Sequence, residues 1–344
     1  MFVRPFAAAL ALAFAAGVLS SGRASAAPDP AALLLRESVD APRTISYVGQ
    51  IETVRFSSNR ASATIVRIEH RAPTLTRRWY MAPESLYGDY IITSGTSSYD
   101  FDAKRSQVMV SHNPLMDDQV AANYSLSRIL DNYRPVMARA EIIAGRPSDS
   151  LLLVNKFTGE RVMRLWIDAK THLVLKKEEY HGNGAVASET RFEEIRYTNK
   201  IPLSIFATEP PAGYVQVAGH DYAMPTSDID RVVKAAGFTP FTPKDLPRGF
   251  ALTSGDTTTV NGVRTLHLTY SDGLRTVSLF ENARGAAADF GALHPQTISF
   301  EGHDAQYVED GPTTLLTWKE KGLYFALVGD LQRSDLVEIA KSVA

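Results

Sequence analysis

Short runs in which apolar and polar side chains alternate one by one constrain this chain more than any other feature. The clearest lies between Arg164 and Lys177, R-L-W-I-D-A-K-T-H-L-V-L-K-K. Met163, Leu165 and Ile167 alternate with Arg164, Trp166 and Asp168, the two-residue period of a strand with one buried face. Asp168-Ala169-Lys170-Thr171 supplies a turn, because a short acidic side chain can bond the backbone ahead of it. Leu173 and Leu175 resume the pattern in the return strand. Nothing in this hairpin points to chemistry. It reads as one unit of a large antiparallel sheet.

The same pattern predicts strands over 45–56, 63–71, 77–81, 90–93, 97–101 and 107–111, then over 140–144, 151–157, 161–167, 173–181 and 187–197. A second series falls at 251–254, 264–270, 275–280, 296–300, 305–309, 313–319 and 323–329. Ser57-Ser58-Asn59, His181-Gly182-Asn183-Gly184 and Ser271-Asp272-Gly273 read as turns. Helices are few. One is expected over 31–39. A second is expected over 118–133, where Leu126, Ile129, Leu130 and Tyr133 make one apolar face. A third is expected over 228–236, and a closing helix carries Leu336, Ile339, Ala340 and Val343, with Ser334 placed to cap it. Sheets covered by a few helices make an α+β layer architecture.

The first residues read as an export signal: Arg4, an apolar run over 6–19, and the small-residue pattern Ala24-Ser25-Ala26. That run is short of the roughly 20 apolar residues a membrane span needs, and no later stretch matches it. Cleavage near Ala26 leaves residues 27–344, enough for two domains. Pro210-Pro211-Ala212-Gly213 opens a stretch poor in regular pattern. The expected division is therefore a signal peptide over 1–26, a first domain over 27–210, a linker over 211–227 and a second domain over 228–344.

With 36 basic and 38 acidic residues, the charge balance gives no electrostatic reason to bind nucleic acid. Cysteine is absent, which removes disulfides, thiolate nucleophiles, thiolate metal sites and a lipidated amino terminus. No G-x-S-x-G elbow occurs, and the 8 histidines include no H-x-H or H-x-x-x-H pair. His267, on the polar side of a strand, is expected to be solvated or hydrogen-bonded. Glu178-Glu179 and Glu193-Glu194 are split across the two faces of a strand, so neither pair can work as acid and base on one bond. Arg77-Arg78 and Lys176-Lys177 are split in the same way. They are expected at solvated edges, with lipid phosphates as the alternative. Trp79, Trp166 and Trp318 are expected in the core. No catalytic residue, cofactor or metal is therefore expected, and the partner- or ligand-binding residues are not legible.

Several of these segments resemble a known family. Thr93-Ser94-Gly95 with Tyr99-Asp100 and Val108 is similar to a strand pair of LolA-like lipoprotein carriers, and Leu165-Trp166-Ile167-Asp168 with Thr171, Leu173 and Leu175 to their hairpin. Residues 41–49, A-P-R-T-I-S-Y-V-G, are similar to the opening strand of the MucB/RseB branch. His267-Leu268-Thr269-Tyr270-Ser271-Asp272-Gly273-Leu274, with Val277-Ser278-Leu279-Phe280, resembles that branch's carboxy-terminal signature. Residues 318–343 also resemble a domain of other sigma-factor-linked regulators. The resemblance implies a strongly curved, LolA-like half-barrel covered by helices, followed by a smaller antiparallel sheet with helices on one face. It implies a periplasmic regulator of envelope stress that binds the periplasmic segment of a membrane anti-sigma factor and hinders its proteolysis. In that picture the half-barrel senses an acyl chain or lipopolysaccharide. The alternative is a periplasmic carrier of lipoproteins or lipids, which has no need of residues 228–344.

Overall fold

In the computed structural model, residues 29–57, 60–112, 126–218, 226–260, 263–283, 290, 294–310 and 313–343 are described. The expected export segment, the turn residues Ser58 and Asn59, and residues 118–125 of the expected second helix lie outside them.

Helix α1 (Pro30–Asp40) opens the fold, with Asp29 capping it through Ala31 N–H at 3.0 Å. Strands β1 (Tyr47–Ser57), β2 (Arg60–Arg71), β3 (Leu75–Ala82), β4 (Tyr90–Ser94), β5 (Ser97–Asp102) and β6 (Gln107–His112) follow as antiparallel neighbours. After α2 (Leu126–Asn132) come β7 (Tyr133–Ile143), β8 (Arg146–Asn155), β9 (Arg161–Asp168), β10 (Val174–Tyr180) and β11 (Val186–Tyr197). β11 returns to pair with β1, and β12 (Val215–Ala218) adds to β6 in parallel. The result is an open 12-stranded sheet with β12 and β7 at its ends.

Strand β7 comes within 8 Å of β11, Cα to Cα. In a flat sheet four strand spacings would hold them about 19 Å apart, so this end of the sheet curls. A network tied to the Asp168 turn braces the curl. Arg146 stacks 4.3 Å from the Tyr197 ring centre and bonds Asp168, while the Tyr197 hydroxyl donates to Asp168 Oδ2 at 3.0 Å. Asp168 Oδ1 accepts from Lys170 N at 2.8 Å and Thr171 N at 3.0 Å, the bonds that the turn chemistry predicts.

The second unit starts with α3 (Ile229–Ala236), capped by Asp228 and ended at Gly237, whose φ is +80°. Strands β13 (Ala251–Val260), β14 (Val263–Ser271), β15 (Thr276–Asn282), β16 (Gln296–Phe300), β17 (His303–Asp310), β18 (Thr313–Glu320) and β19 (Leu323–Gly329) form a 7-stranded antiparallel sheet, order β13-β14-β15-β19-β18-β17-β16. α3 and the closing α4 (Arg333–Ser342) share one core with Leu266, Leu268, Leu279, Leu316, Trp318 and Phe325. Both helices therefore lie on one face.

Two expectations on elements fail for local reasons. Tyr133 is not the last turn of a helix but the first residue of β7; Pro135 bars Arg134 from the helical region, so the helix has to end ahead of it. Its ring still packs with Ile129, Leu126 and Leu130. Ser334 does not cap α4: Leu336 N bonds Gln332 O at 3.1 Å, so the helix is already under way at Ser334.

Candidate functional site: a buried junction and a cation-lined pocket

The two sheets meet where β1 runs near β17 and, more deeply, through the turn between β14 and β15. Ser271, Asp272, Gly273 and Leu274 are all buried, which a solvent-facing hairpin turn would not be. Leu274 packs into the first unit's core beside Ile129, Tyr133 and Leu151. Gly273 has φ +100°, and a Cβ there would stand 2.6 Å from Ile129 N, so only glycine lets the turn reach the α2 backbone. Asn132, at the end of α2, donates to Asp272 O at 2.8 Å and to Gly249 O at 3.1 Å. The Tyr133 hydroxyl donates to the Asp272 carboxylate, which also faces Arg275 Nε at 3.4 Å. Burial, together with the neighbouring carboxylate, raises the Tyr133 hydroxyl well above its ordinary pKa, so it stays a donor.

A second feature lies within the first unit. The chain around Tyr47 alternates strictly. Tyr47 packs with Ile68, Phe192 and Ala41, the face covered by the 3-10 turn Ala41–Arg43, and Val48 points the other way. On Val48's face a cavity of about 490 Å³ opens between β1, β2, β3, the end of β11 and the 3-10 turn Leu203–Phe206. Register builds it. Val48 pairs with both Glu69 and Arg196, Glu69 with Arg77, and Arg67 with Trp79, so all of them project to one side.

Four cations, Arg67, Arg77, Arg196 and Lys200, meet one carboxylate, Glu69, in the lining. Glu69 is buried, and its Oε1 takes Arg67 Nε at 2.9 Å. Its Oε2 and Arg77 Nε are buried without a hydrogen-bond partner. Arg77 lies over Trp79 and Tyr90, 4.8 and 4.9 Å from their centres. Those rings continue a stack, Trp79 on Tyr90 at 5.5 Å and Tyr90 on Phe101 at 4.2 Å. Among the described residues no carboxylate pairs with Arg77, Arg196 or Lys200.

Most residues singled out in the sequence are structural. Trp166 and Trp318 are core residues, whereas Trp79 is only half-buried and lines the cavity. The expectation of solvated edges for the basic pairs fails, because both strands are interior to the sheet. Arg78 is buried opposite Arg77, Lys176 is held by Glu178 and Glu189, and Lys177 by Glu179. Glu178 and Glu179 do lie apart, each with its own lysine. His267 is bonded to Asp256 at 3.1 Å and Ser278 at 2.9 Å, and stacks on Phe280. Among the described residues no group of three His, Asp or Glu side chains is placed to hold a metal, and no helix is long and apolar enough to cross a membrane. Arg67, Glu69, Arg196 and Lys200 carry no local signal of the cavity, since spacing along the chain does not show which strands become neighbours. Asp272 and Gly273 signal only a turn in the sequence, not a junction.

Residues 91–209 match the MucB/RseB N-terminal domain, and residues 240–343 match a domain of unknown function, DUF4367. No curated protein matches the chain in sequence. Among solved structures, a complex of MucB with MucA(peri) is similar at 17% identity and a TM-score of 0.62, covering 91% of this chain and 98% of that one. The Pseudomonas aeruginosa MucA/MucB complex gives 16% identity and 0.62, over 91% and 97%. A crystal structure of MucB gives 16% and 0.55, again over 91% and 97%. The chain thus carries the fold of MucB across both sheets, and its residues 91–209 carry the MucB/RseB N-terminal domain.

Proposed function

We propose that this protein is an exported, periplasmic regulator that binds the periplasmic segment of a membrane anti-sigma factor and limits its proteolysis. One observation carries the reading. The likeness runs through both sheets, and in two of the similar structures MucB is in complex with MucA. A binding role also suits a molecule in which Asp168, Lys176 and His267 are held in structural pairs. An acyl-chain ligand, the finer part of the reading, would enter the face that the turn Ala41–Arg43 covers, among Tyr47, Ile68, Leu173, Leu175 and Phe192. The carrier alternative has no use for the second sheet, yet that sheet's turn is built into the first sheet's core.

The experiment is calorimetric titration of the exported chain with the periplasmic segment of the anti-sigma factor from the same organism, followed by protease digestion of that segment. Tight binding and slowed cleavage are expected. No binding, or binding with unchanged cleavage, removes the regulatory reading. Addition of a short-chain lipid is expected to weaken the complex; unchanged affinity removes the sensing role alone.

A further inference from the structure

The cavity on Val48's face is not explained by the junction or by the helix-covered face. It stands on the opposite side of β1 from Tyr47, so an acyl chain held among Tyr47, Ile68 and Phe192 would not reach it. Its lining carries an excess of positive charge, and three of its four cations are arginines. A cluster of like charges raises the energy of a folded protein unless something compensates it. Here only Arg67 has a carboxylate partner. Arg77 is held in place by two aromatic rings, with a buried Nε–H that nothing accepts. A guanidinium held over two rings is oriented before any ligand arrives, which lowers the ordering cost of binding.

We propose that this cavity binds a phosphate ester, with Arg77 and Arg196 bonding the phosphate oxygens, Lys200 and Arg67 adding charge at the rim, and Trp79 packing the carbon portion of the ligand. The guanidinium fork matches the spacing of phosphate oxygens, so arginine suits such a group better than a scattered set of lysines would. The volume fits a headgroup or a small ester and favours it over an extended acidic peptide, which needs a long groove or a free strand edge. β1, β2 and β3 are all interior strands and offer no such edge. The phosphate could be free or carried on a lipid, and the test separates the two.

Calorimetric titrations of the full chain use inorganic phosphate, glycerol 3-phosphate and dihexanoylphosphatidic acid below its micelle concentration. Dihexanoylglycerol is the phosphate-free control and a glutamate-rich peptide the competing class. Binding of the phosphate compounds is expected, weakening as salt rises. The exposed pair R196Q/K200Q is expected to lower their affinity about tenfold or more with thermal unfolding unchanged. R77Q is expected to do the same, and R196Q/K200Q keeps the inference testable if R77Q unfolds. Tighter binding of phosphatidic acid than of glycerol 3-phosphate identifies a lipid headgroup, and equal binding identifies a soluble ester; both uphold the proposal. It is overturned if no phosphate compound binds, if R196Q/K200Q binds as the parent does, or if only the phosphate-free lipid or the acidic peptide binds. The outcome does not depend on the anti-sigma reading, since no partner is present in the titration.

Discussion

Two buried carboxylates show how single residues set the pH range of this fold, and they act with opposite sign. Asp168 is buried, which by itself would raise its pKa; bonds from Arg146, Lys170 N, Thr171 N and Tyr197 outweigh that and hold the value below normal. A carboxyl with a lowered folded value adds stability above its unfolded pKa and loses it as pH falls through the folded one. Asp168→Ala should cost about 3 kcal/mol at neutral pH, because it strands Arg146 and opens the braced curl. Denaturant melts would measure this, and a loss under about 1 kcal/mol would mean that the network is ornamental. Glu281 behaves the other way. It is fully buried, only Phe241 N at 3.0 Å bonds its Oε2, and burial raises its pKa to about 7. The folded protein keeps this proton where the unfolded chain has released it. Stability should therefore fall as pH rises from about 4.5 to 7, by about 3 kcal/mol, and then level off. Glu281→Gln should flatten that slope, and an unchanged pH profile in the variant would show that the carboxyl is already ionised in the folded state.

At the level of elements, the β14–β15 turn and the end of α2 act as one joint. Gly273→Ala places a methyl against the α2 backbone at a positive φ, and should cost about 2 kcal/mol or more. The loss should appear as cleavage between the sheets in limited proteolysis and as separation of one unfolding transition into two. Tyr133→Phe removes a single bond to a buried carboxylate and should cost about 1.5–3 kcal/mol with the same signature. If both variants unfold in one unchanged step, the junction is not what joins the units.

For the whole molecule, the regulator reading expects both sheets to count. Loosening the joint by Gly273→Ala should weaken binding of the anti-sigma segment while leaving phosphate-ester binding intact, because the cation-lined cavity lies wholly within the first unit. Much of the architecture was legible in the chain itself. Alternation placed nearly all strands, the Asp168 turn made its expected bonds, and glycine and proline marked most boundaries, including Pro135, which bars Arg134 from a helix. These are short-range effects, decided by backbone sterics and by which face of a strand is apolar. What the sequence determined, then, was two antiparallel layers with few helices, and no thiol chemistry. Tertiary structure alone decided that Asp272 and Gly273 lie inside a junction rather than in water, and that Arg67, Arg77 and Arg196 share one cavity. Those residues meet through strand pairing across long stretches of chain, and a side chain's local pattern carries no record of which distant strand becomes its neighbour.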